Sequence, residues 1–225
     1  MTVDSVLALA RRHPRWSSFA AVLLVALASI LLLDRPLAEY IHAGQSPNRY
    51  GFWRTVSKVG QAEYWYGLAL IGLLVAFVRS KLAWTLEGIA ECRRQARAWW
   101  FMIVAMLLSG AAVHAVKFAL GRVRPKELFD TPEPLYGFFP LSGEQSFPSG
   151  HSQAIWSAMI ALTALFPRHR WWFVAIAVMV AYSRVATFQH FLADILVGSA
   201  IGVLITLAVR DRFARKASLR IGKEA

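Results

Sequence analysis

The sequence has very little cysteine and little charge. Only one of its 225 residues is a cysteine, Cys92, which excludes an intramolecular disulfide and any metal site built from several cysteines. Charged residues make up 17% of the chain and hydrophobic residues 57%, whereas soluble domains contain about 25% charged and about 45–50% apolar residues. The composition therefore excludes a disordered chain and argues against an ordinary soluble globule.

Acidic residues are the scarcer of the two charge types. The chain has 13 Asp and Glu against 25 Lys and Arg, for a formal net charge of +12. Such a balance is common in nucleic-acid-binding proteins, but the apolar excess favours cationic loops beside anionic lipid. We therefore expect a lipid bilayer as the partner and no nucleic acid, and no pattern in the sequence indicates an oligomeric state.

Six apolar segments are long enough to cross a bilayer, which takes about 17–25 residues of helix. They cover residues 16–33, 62–78, 98–120, 149–166, 171–188 and 191–209. The first segment is interpreted as a retained span, because no small-residue cleavage site follows it. The sequence therefore predicts an all-α fold, an integral membrane bundle of six transmembrane helices that forms a single domain over residues 1–225.

Lys and Arg are unevenly divided between the two sets of loops. Of the 25 such residues, 16 lie in the loops that include both termini and nine in the others. The positive-inside rule then places both termini in the cytoplasm, and an even number of spans requires both ends on one side. The segment 126–147, rich in proline and aromatic residues, is predicted to be an outer loop.

Ionisable residues gather at one predicted depth. Inside a span they cost several kcal/mol and by default mark a functional site. The predicted topology places six of them at the outer ends of the spans: Lys117, Arg124, His151, Arg184, His190 and Asp194. Three cations repel one another unless an anion lies between them, and phosphate matches their donors best. We therefore expect a phosphate-binding site at the outer membrane face.

Backbone and imidazole groups complete the predicted site. Ser149 and Gly150 begin a predicted helix, where free N–H groups and the helix dipole favour an anion. His190 and Asp194 share a face if they share a helix, so that the carboxylate would fix the tautomer of a nucleophilic imidazole. His151 would then protonate the leaving alkoxide. The residues alone leave open which histidine attacks, although the position of Asp194 favours His190.

The same side chains allow other interpretations. A metal site built from His151, His190 and Asp194 is conceivable, but three nearby cations oppose a divalent ion, so we expect no metal and no cofactor. A single Lys or Arg at the end of a span is ordinarily an anchor that reaches the membrane interface. His114 is interpreted as a packed, hydrogen-bonded side chain, and Arg122 and Gln189 as possible supports of the cluster.

Three motifs occur in order along residues 117–194. They are K-x6-R-P at 117–125, P-S-G-H at 148–151 and S-R-x5-H-x3-D at 183–194. Together, and at full spacing, they resemble the three-part signature of the type 2 phosphatidic acid phosphatase family. The pattern of six spans extends the likeness over most of the chain.

This resemblance implies a lipid phosphatase that needs no metal and forms a phosphohistidine intermediate at the outer face of a six-helix membrane fold. Carried over by motif, His190 is the nucleophile, Asp194 its orienting partner and His151 the general acid. The residues that would hold the phosphate are Lys117, Arg124, Ser149, Gly150 and Arg184.

The resemblance does not select a substrate. Bacterial members of the family act on phosphatidate, phosphatidylglycerol phosphate, undecaprenyl diphosphate or lipid A, and some relatives transfer the phosphoryl group to another lipid. A membrane protein that binds or transports an anion without chemistry is a third hypothesis. We expect a protein of the bacterial cytoplasmic (inner) membrane, with its active site facing the periplasm or the exterior.

Overall fold

The described part of the chain is almost entirely helical. The computed structural model describes residues 12–130 and 136–224, with side chains up to residue 214. Within these residues there are nine α-helices, one turn of 3₁₀ helix and no β-strand. The helices are α1 (Pro14–Leu32), α2 (Asp34–Ala43), α3 (Pro47–Lys58), α4 (Ala62–Leu82), α5 (Leu86–Leu120), α6 (Glu127–Asp130), α7 (Gly150–Leu165), α8 (Arg170–Ala186) and α9 (Leu192–Glu224). The predicted all-α class is confirmed.

Four helical stretches among the described residues are long and apolar enough to cross a membrane. They are Pro14–Leu32, Pro47–Leu82, Leu86–Leu120 and Leu192–Ala214. Helices α7 and α8 occupy the other two predicted segments and have 16 and 17 residues, just below and at the lower limit of the usual length of a span, about 17 residues. The structure is therefore that of a membrane helix bundle, and the count of six spans stays a prediction.

Large apolar side chains cover the outside of the bundle. Leu31 on α1 is 71% exposed and Ile71 on α4 is 63% exposed, and neighbouring leucines on both helices are similarly uncovered. A soluble monomer rarely leaves such contiguous apolar area in water. Acyl chains of a bilayer would cover it without cost, because they are as apolar as leucine.

Helix α7 lies at the centre of the bundle and packs against α5, α8 and α9. Small residues let α9 come close to it: a Cβ atom added to Gly202 would stand 2.7 Å from the carbonyl oxygen of Gln153, and one added to Gly198 would stand 3.0 Å from the backbone nitrogen of Ser149. Close approach of this kind is common where membrane helices pack. It holds the first turn of α7 against the first turns of α9.

The predicted outer loop is tied to the end of α5. Residues 131–135 of this 126–147 segment lie outside the described residues. In the part that is described, Arg122 pairs through isolated β-bridges with Phe138 and with Gln145. The N–H of Ser146 also donates to the carbonyl of Arg122 at 2.9 Å. The loop therefore brings residues 145–149 over the ends of α5 and α9.

Candidate active site

A cavity of about 530 Å³ lies where α5 ends and α7 begins. Five parts of the chain converge on it: the start of α4, the end of α5 with the loop after it, the first turn of α7, the end of α8, and the α8–α9 loop. Of the eight residues predicted to form the site, six line this cavity: Lys117, Arg124, Gly150, His151, Arg184 and His190. Residues up to 73 positions apart in sequence are thereby brought together around one space.

The three cations of the cavity have only uncharged partners among the described residues. Their donors reach oxygen atoms of amide or hydroxyl groups: Lys117 Nζ the carbonyl of Gln145 at 2.5 Å, Arg124 Nη1 the Oε1 of Gln189 at 2.9 Å, and Arg184 Nη1 the Oγ of Ser57. The Nε of Arg184 is buried without a hydrogen-bond partner. Positive charge and N–H donors therefore remain available to an anion in the cavity.

The start of α7 supplies backbone donors to the same cavity. The first N–H groups of a helix have no partner within the helix, and its dipole favours negative charge there. Apart from its chain neighbours and the backbone of its own helix, no atom lies within 4 Å of the place where a Cβ of Gly150 would stand. An anion can therefore approach the backbone of Gly150 closely.

Ser149 is placed differently from the other predicted phosphate ligands. Its side chain is fully buried and does not line the cavity. Its Oγ accepts hydrogen bonds from the backbone N–H and the Oγ of Ser152, at 3.4 and 3.0 Å, and its own N–H donates to the carbonyl of Asp194 at 2.9 Å. These contacts cap α7 and attach it to α9, so Ser149 shapes the start of the helix.

His190 is held in the loop between α8 and α9. Its backbone N–H donates to the carbonyl of Arg184 at 3.2 Å, and its side chain is 3% exposed. Its Nδ1 lies 2.6 Å from the carbonyl oxygen of Ser146. A carbonyl can only accept, so Nδ1 carries the hydrogen. Nε2 forms no hydrogen bond with a described residue and is the ring nitrogen left for chemistry.

Asp194 does not contact His190 in the way that the sequence spacing suggests. Helix α9 begins at Leu192, so His190 precedes the helix and the two residues do not share a helical face. The Oδ2 of Asp194 is 3.7 Å from His190 Nδ1, beyond a normal hydrogen bond. Burial lowers the pKa of His190 to about 4, against the opposing attraction of the Asp194 carboxylate. The imidazole is therefore neutral near pH 7.

The Asp194 carboxylate instead organises the loops that carry the imidazole. It is fully buried. Its Oδ2 accepts from the Oγ of Ser146 at 2.6 Å and from the N–H of Phe191 at 2.8 Å, and its Oδ1 accepts from Arg122 Nη1 at 2.5 Å. Ser146 therefore binds the carboxylate through its hydroxyl and His190 through its carbonyl.

Arg122 forms the base of this network. Its side chain is buried and bridges two carboxylates, since Nη2 also lies 2.7 Å from the Oδ2 of Asp34. Its guanidinium carbon lies 4.2 Å from the centre of the Phe191 ring. Asp34, at the junction of α1 and α2, accepts a further hydrogen bond from the N–H of Ala193 at 3.1 Å. Arg122 thus ties the end of the first helix to the start of the last.

The structure adds residues that sequence reasoning missed. Arg122 is interpreted from sequence only as a possible support, and Asp34 and Ser146 are not predicted at all. One signal for Asp34 is readable: it is an acidic residue directly after the three leucines that end an uncharged apolar segment. The prediction for His114 is wrong, because this residue lines the cavity with an exposed side chain and forms no side-chain hydrogen bond with a described residue.

The alternative metal site is not assembled in the described part of the chain. Within residues 12–130 and 136–224, no three His, Cys, Asp or Glu side chains are grouped closely enough to hold a metal ion. His151, His190 and Asp194 do not form such a group, because Asp194 is directed into the Arg122 pair. A reaction without metal stays a prediction.

Comparison with models of known protein families shows which family this chain belongs to. The model of the PAP2 superfamily matches residues 98–217, just over half of the chain, and includes all three motifs. The chain belongs to the PAP2 superfamily. The resemblance inferred from the motifs is thereby confirmed.

Relatives of this PAP2 protein include named phosphatases. A lipid A 1-phosphatase of Rhizobium etli is 30% identical over 213 residues, which cover 89% of this chain and 86% of the relative. An undecaprenyl-diphosphatase of Sulfolobus acidocaldarius is 25% identical over 171 residues, which cover 76% and 73% of the two chains. The protein is therefore a phosphoric ester hydrolase, a lipid phosphatase of the PAP2 type.

A solved structure shares the fold. The transmembrane PAP2 type phosphatidylglycerolphosphate phosphatase of Bacillus subtilis superposes with a TM-score of 0.60 at 21% sequence identity, over 89% of this chain and 96% of that chain. At this identity the likeness concerns the fold alone. Together with the apolar helices it identifies a membrane protein.

Proposed function

We propose that this PAP2 phosphatase hydrolyses a phosphate ester or diphosphate of a membrane lipid through a phosphohistidine on His190. The observation that carries the proposal is the state of the imidazole. Its Nδ1 is committed to the carbonyl of Ser146 at 2.6 Å, and Nε2 has no partner among the described residues. The same cavity holds three cations that have no carboxylate partner there.

The first chemical step forms the bond between His190 and phosphorus. Nε2 attacks the phosphorus atom while the bond from phosphorus to the lipid oxygen breaks, and His151 donates a proton to that oxygen. Lys117, Arg124 and Arg184 bind the three equatorial oxygens, where negative charge is concentrated in the transition state. The dephosphorylated lipid leaves, and His151 remains as a base.

The second step returns the enzyme to its starting state. His151 removes a proton from water, the water oxygen attacks phosphorus, and the bond to His190 Nε2 breaks to release inorganic phosphate. Positive charge on the His190 ring during both steps is favoured by the buried Asp194 carboxylate 3.7 Å from Nδ1. Asp194 is proposed as a positioning residue that acts through Ser146, and not as a direct hydrogen-bond partner of the ring.

The proposed placement is an inner membrane with the cavity at the outer face and six spans. Exposed tryptophans at the opposite end of the bundle from the cavity are consistent with a membrane interface there: Trp16, Trp84, Trp171 and Trp172. Tryptophan is enriched at membrane interfaces. The same end carries the larger share of Lys and Arg, which favours the cytoplasmic side.

The test measures phosphate release by purified protein in detergent with EDTA. The substrates are phosphatidate, phosphatidylglycerol phosphate, undecaprenyl diphosphate and lipid A. We expect release from at least one of them, and a loss of at least about a thousandfold in the His190→Ala variant, because the attacking atom is removed. His169→Ala, at the opposite end of α8 from the cavity, is the matched control and should retain activity.

Three results would contradict parts of this proposal. Near-normal turnover by His190→Ala would exclude the phosphohistidine. Activity lost in EDTA and restored by one divalent ion would return the metal site to consideration. Phosphate that appears on an added acceptor lipid, with none released to water, would identify a phosphotransferase.

A further inference from the structure

One side of the active-site cavity contains no residue of the three motifs. It is lined by the first turns of α4 and by residues 107–114 of α5, and its polar side chains are Glu63, Tyr66 and His114. Glu63 is the one acidic residue that lines the cavity within the described residues. At about 530 Å³ the cavity is of the size that holds a small molecule, for which about 300–1,000 Å³ is typical. It therefore has room for more than a phosphoryl group.

This side of the cavity adjoins the proposed general acid. A Cβ atom added to Gly60 would stand 3.2 Å from His151 Cδ2 and 3.3 Å from His151 Cβ. Gly60 lies two residues before the start of α4, and Glu63 lies in the first turn of that helix. The proton of His151 goes to the oxygen of the leaving group, so we expect a leaving group to occupy the side of the cavity that Gly60 and Glu63 line.

Glu63 and His114 are both available to a ligand. The two side chains are exposed, line the cavity and form no hydrogen bond or ion pair with a described residue. His114 precedes Lys117 by about one turn of α5, so the part of the cavity that His114 lines adjoins the cations proposed to bind phosphate. Helix α5 also contributes Gly110 and Ala111 to the lining, and the small size of these two residues leaves space for a ligand.

We propose that Glu63, Tyr66 and His114 form a leaving-group subsite that accepts a phosphomonoester of a head group rich in hydroxyl or amide donors, such as a sugar, and that rejects a diphosphate. The proposal rests on the proposed function. A carboxylate accepts hydrogen bonds from hydroxyl and amide groups. It repels a second phosphoryl group at the same place, because like charges in a partly enclosed cavity interact more strongly than in water.

The test compares two substrates within one enzyme. Lipid A presents a phosphomonoester on a sugar, and undecaprenyl diphosphate presents a second phosphoryl group in the leaving position. We expect the wild-type kcat/KM to be higher for lipid A. In Glu63→Gln the ratio of the two kcat/KM values should shift by about tenfold toward the diphosphate, which corresponds to about 1.4 kcal/mol.

Two further variants separate charge from structure. Glu63→Asp keeps the carboxylate and should keep the wild-type preference for lipid A. Glu87→Gln removes an exposed carboxylate from the first turn of α5, away from the cavity, and should leave both kcat/KM values unchanged. If Glu63→Gln proves too unstable to assay, the preference of wild type and of Glu63→Asp still tests the subsite.

The outcomes distinguish the subsite from the proposed function. A wild-type enzyme that prefers the diphosphate, or an unchanged ratio in active Glu63→Gln, would overturn the subsite and leave the phosphatase mechanism intact. If the wild-type enzyme releases phosphate from no lipid of either class, the proposed function itself fails. A shift of the ratio in Glu87→Gln as large as in Glu63→Gln would show a general effect of charge and would also overturn the subsite.

Discussion

Arg122 and Arg124 are two residues apart in the chain and occupy opposite kinds of environment. Arg122 is fully buried and bound to two carboxylates, those of Asp34 and Asp194. Arg124 lines the cavity, and its partner is the uncharged side-chain oxygen of Gln189. This segment is an irregular loop and not a regular strand, so residues two positions apart need not share a side: the guanidinium of Arg122 enters the protein and that of Arg124 faces the cavity.

The difference separates a structural cation from a cation that is proposed to bind the ligand. A buried charge is tolerated only when it is paired and hydrogen-bonded, and Arg122 meets this condition with protein groups alone. Lys117, Arg124 and Arg184 do not, because their described partners carry no charge. A bound anion would relieve their mutual repulsion, and this favours the proposed phosphate complex over the empty site.

Replacing Arg122 should give the largest effect on stability. Arg122→Met leaves the carboxylates of Asp34 and Asp194 buried without a counterion, which costs about 3–5 kcal/mol when one partner of a buried pair is removed. The expected result is a strongly lowered midpoint of unfolding in detergent. The double variant Arg122→Met, Asp34→Leu should recover part of the loss. A stable, folded Arg122→Met protein would contradict the structural role.

Replacing the cavity cations should act on catalysis instead. Arg124→Gln and Arg184→Gln each remove a donor to the transition state and should lower kcat/KM by about 10²–10³-fold. The unfolding midpoint should be unchanged or raised, because a repulsive charge is removed. Arg54→Gln, on the exposed surface of α3, is the matched control. If Arg124→Gln or Arg184→Gln lost as much stability as Arg122→Met, the cavity arginines would be structural as well, and the comparison with Arg122 would fail.

Replacing Ser146 should have a smaller effect on catalysis, because Ser146 links the buried Asp194 carboxylate to the ring of His190. Ser146→Ala removes the hydroxyl that donates to Asp194 at 2.6 Å but keeps the carbonyl that accepts from His190. We expect kcat to fall by about tenfold with little change in KM, since one hydrogen bond to a charged group is lost. Ser80→Ala, in α4 far from the cavity, is the control. A change in KM alone would indicate a role in binding.

Much of the candidate site was predictable because its residues carry local signals. Lys117, Arg124, His151, Arg184 and His190 are ionisable groups at the ends of apolar segments, where charge is costly. The structure places all five around one cavity. The relation between His190 and Asp194 was not predictable in the same way, because it depended on where a helix begins, and α9 begins two residues too late for the two side chains to share a face.

Other contacts of the site involve partners that no local signal identifies. The hydrogen-bond acceptor of His190 is a backbone carbonyl of Ser146, and every residue has a carbonyl. Asp34 lies 88 positions before Arg122, and nothing in either neighbourhood identifies the other as its partner. His114 resembles any histidine in an apolar helix until the wall of the cavity is seen.

The amino-acid order was sufficient for the class of fold, the membrane environment, the family and the identity of the charged residues. Each of these depends on composition, on apolar length or on the spacing within a motif, which are properties of the chain alone. The tertiary structure was needed to decide which arginine is paired and which is available, which group holds the ring of His190, and what lines the far side of the cavity. Those outcomes depend on contacts between distant segments, whose partners are chosen by packing, since a buried charge must find its counterion wherever the fold places one.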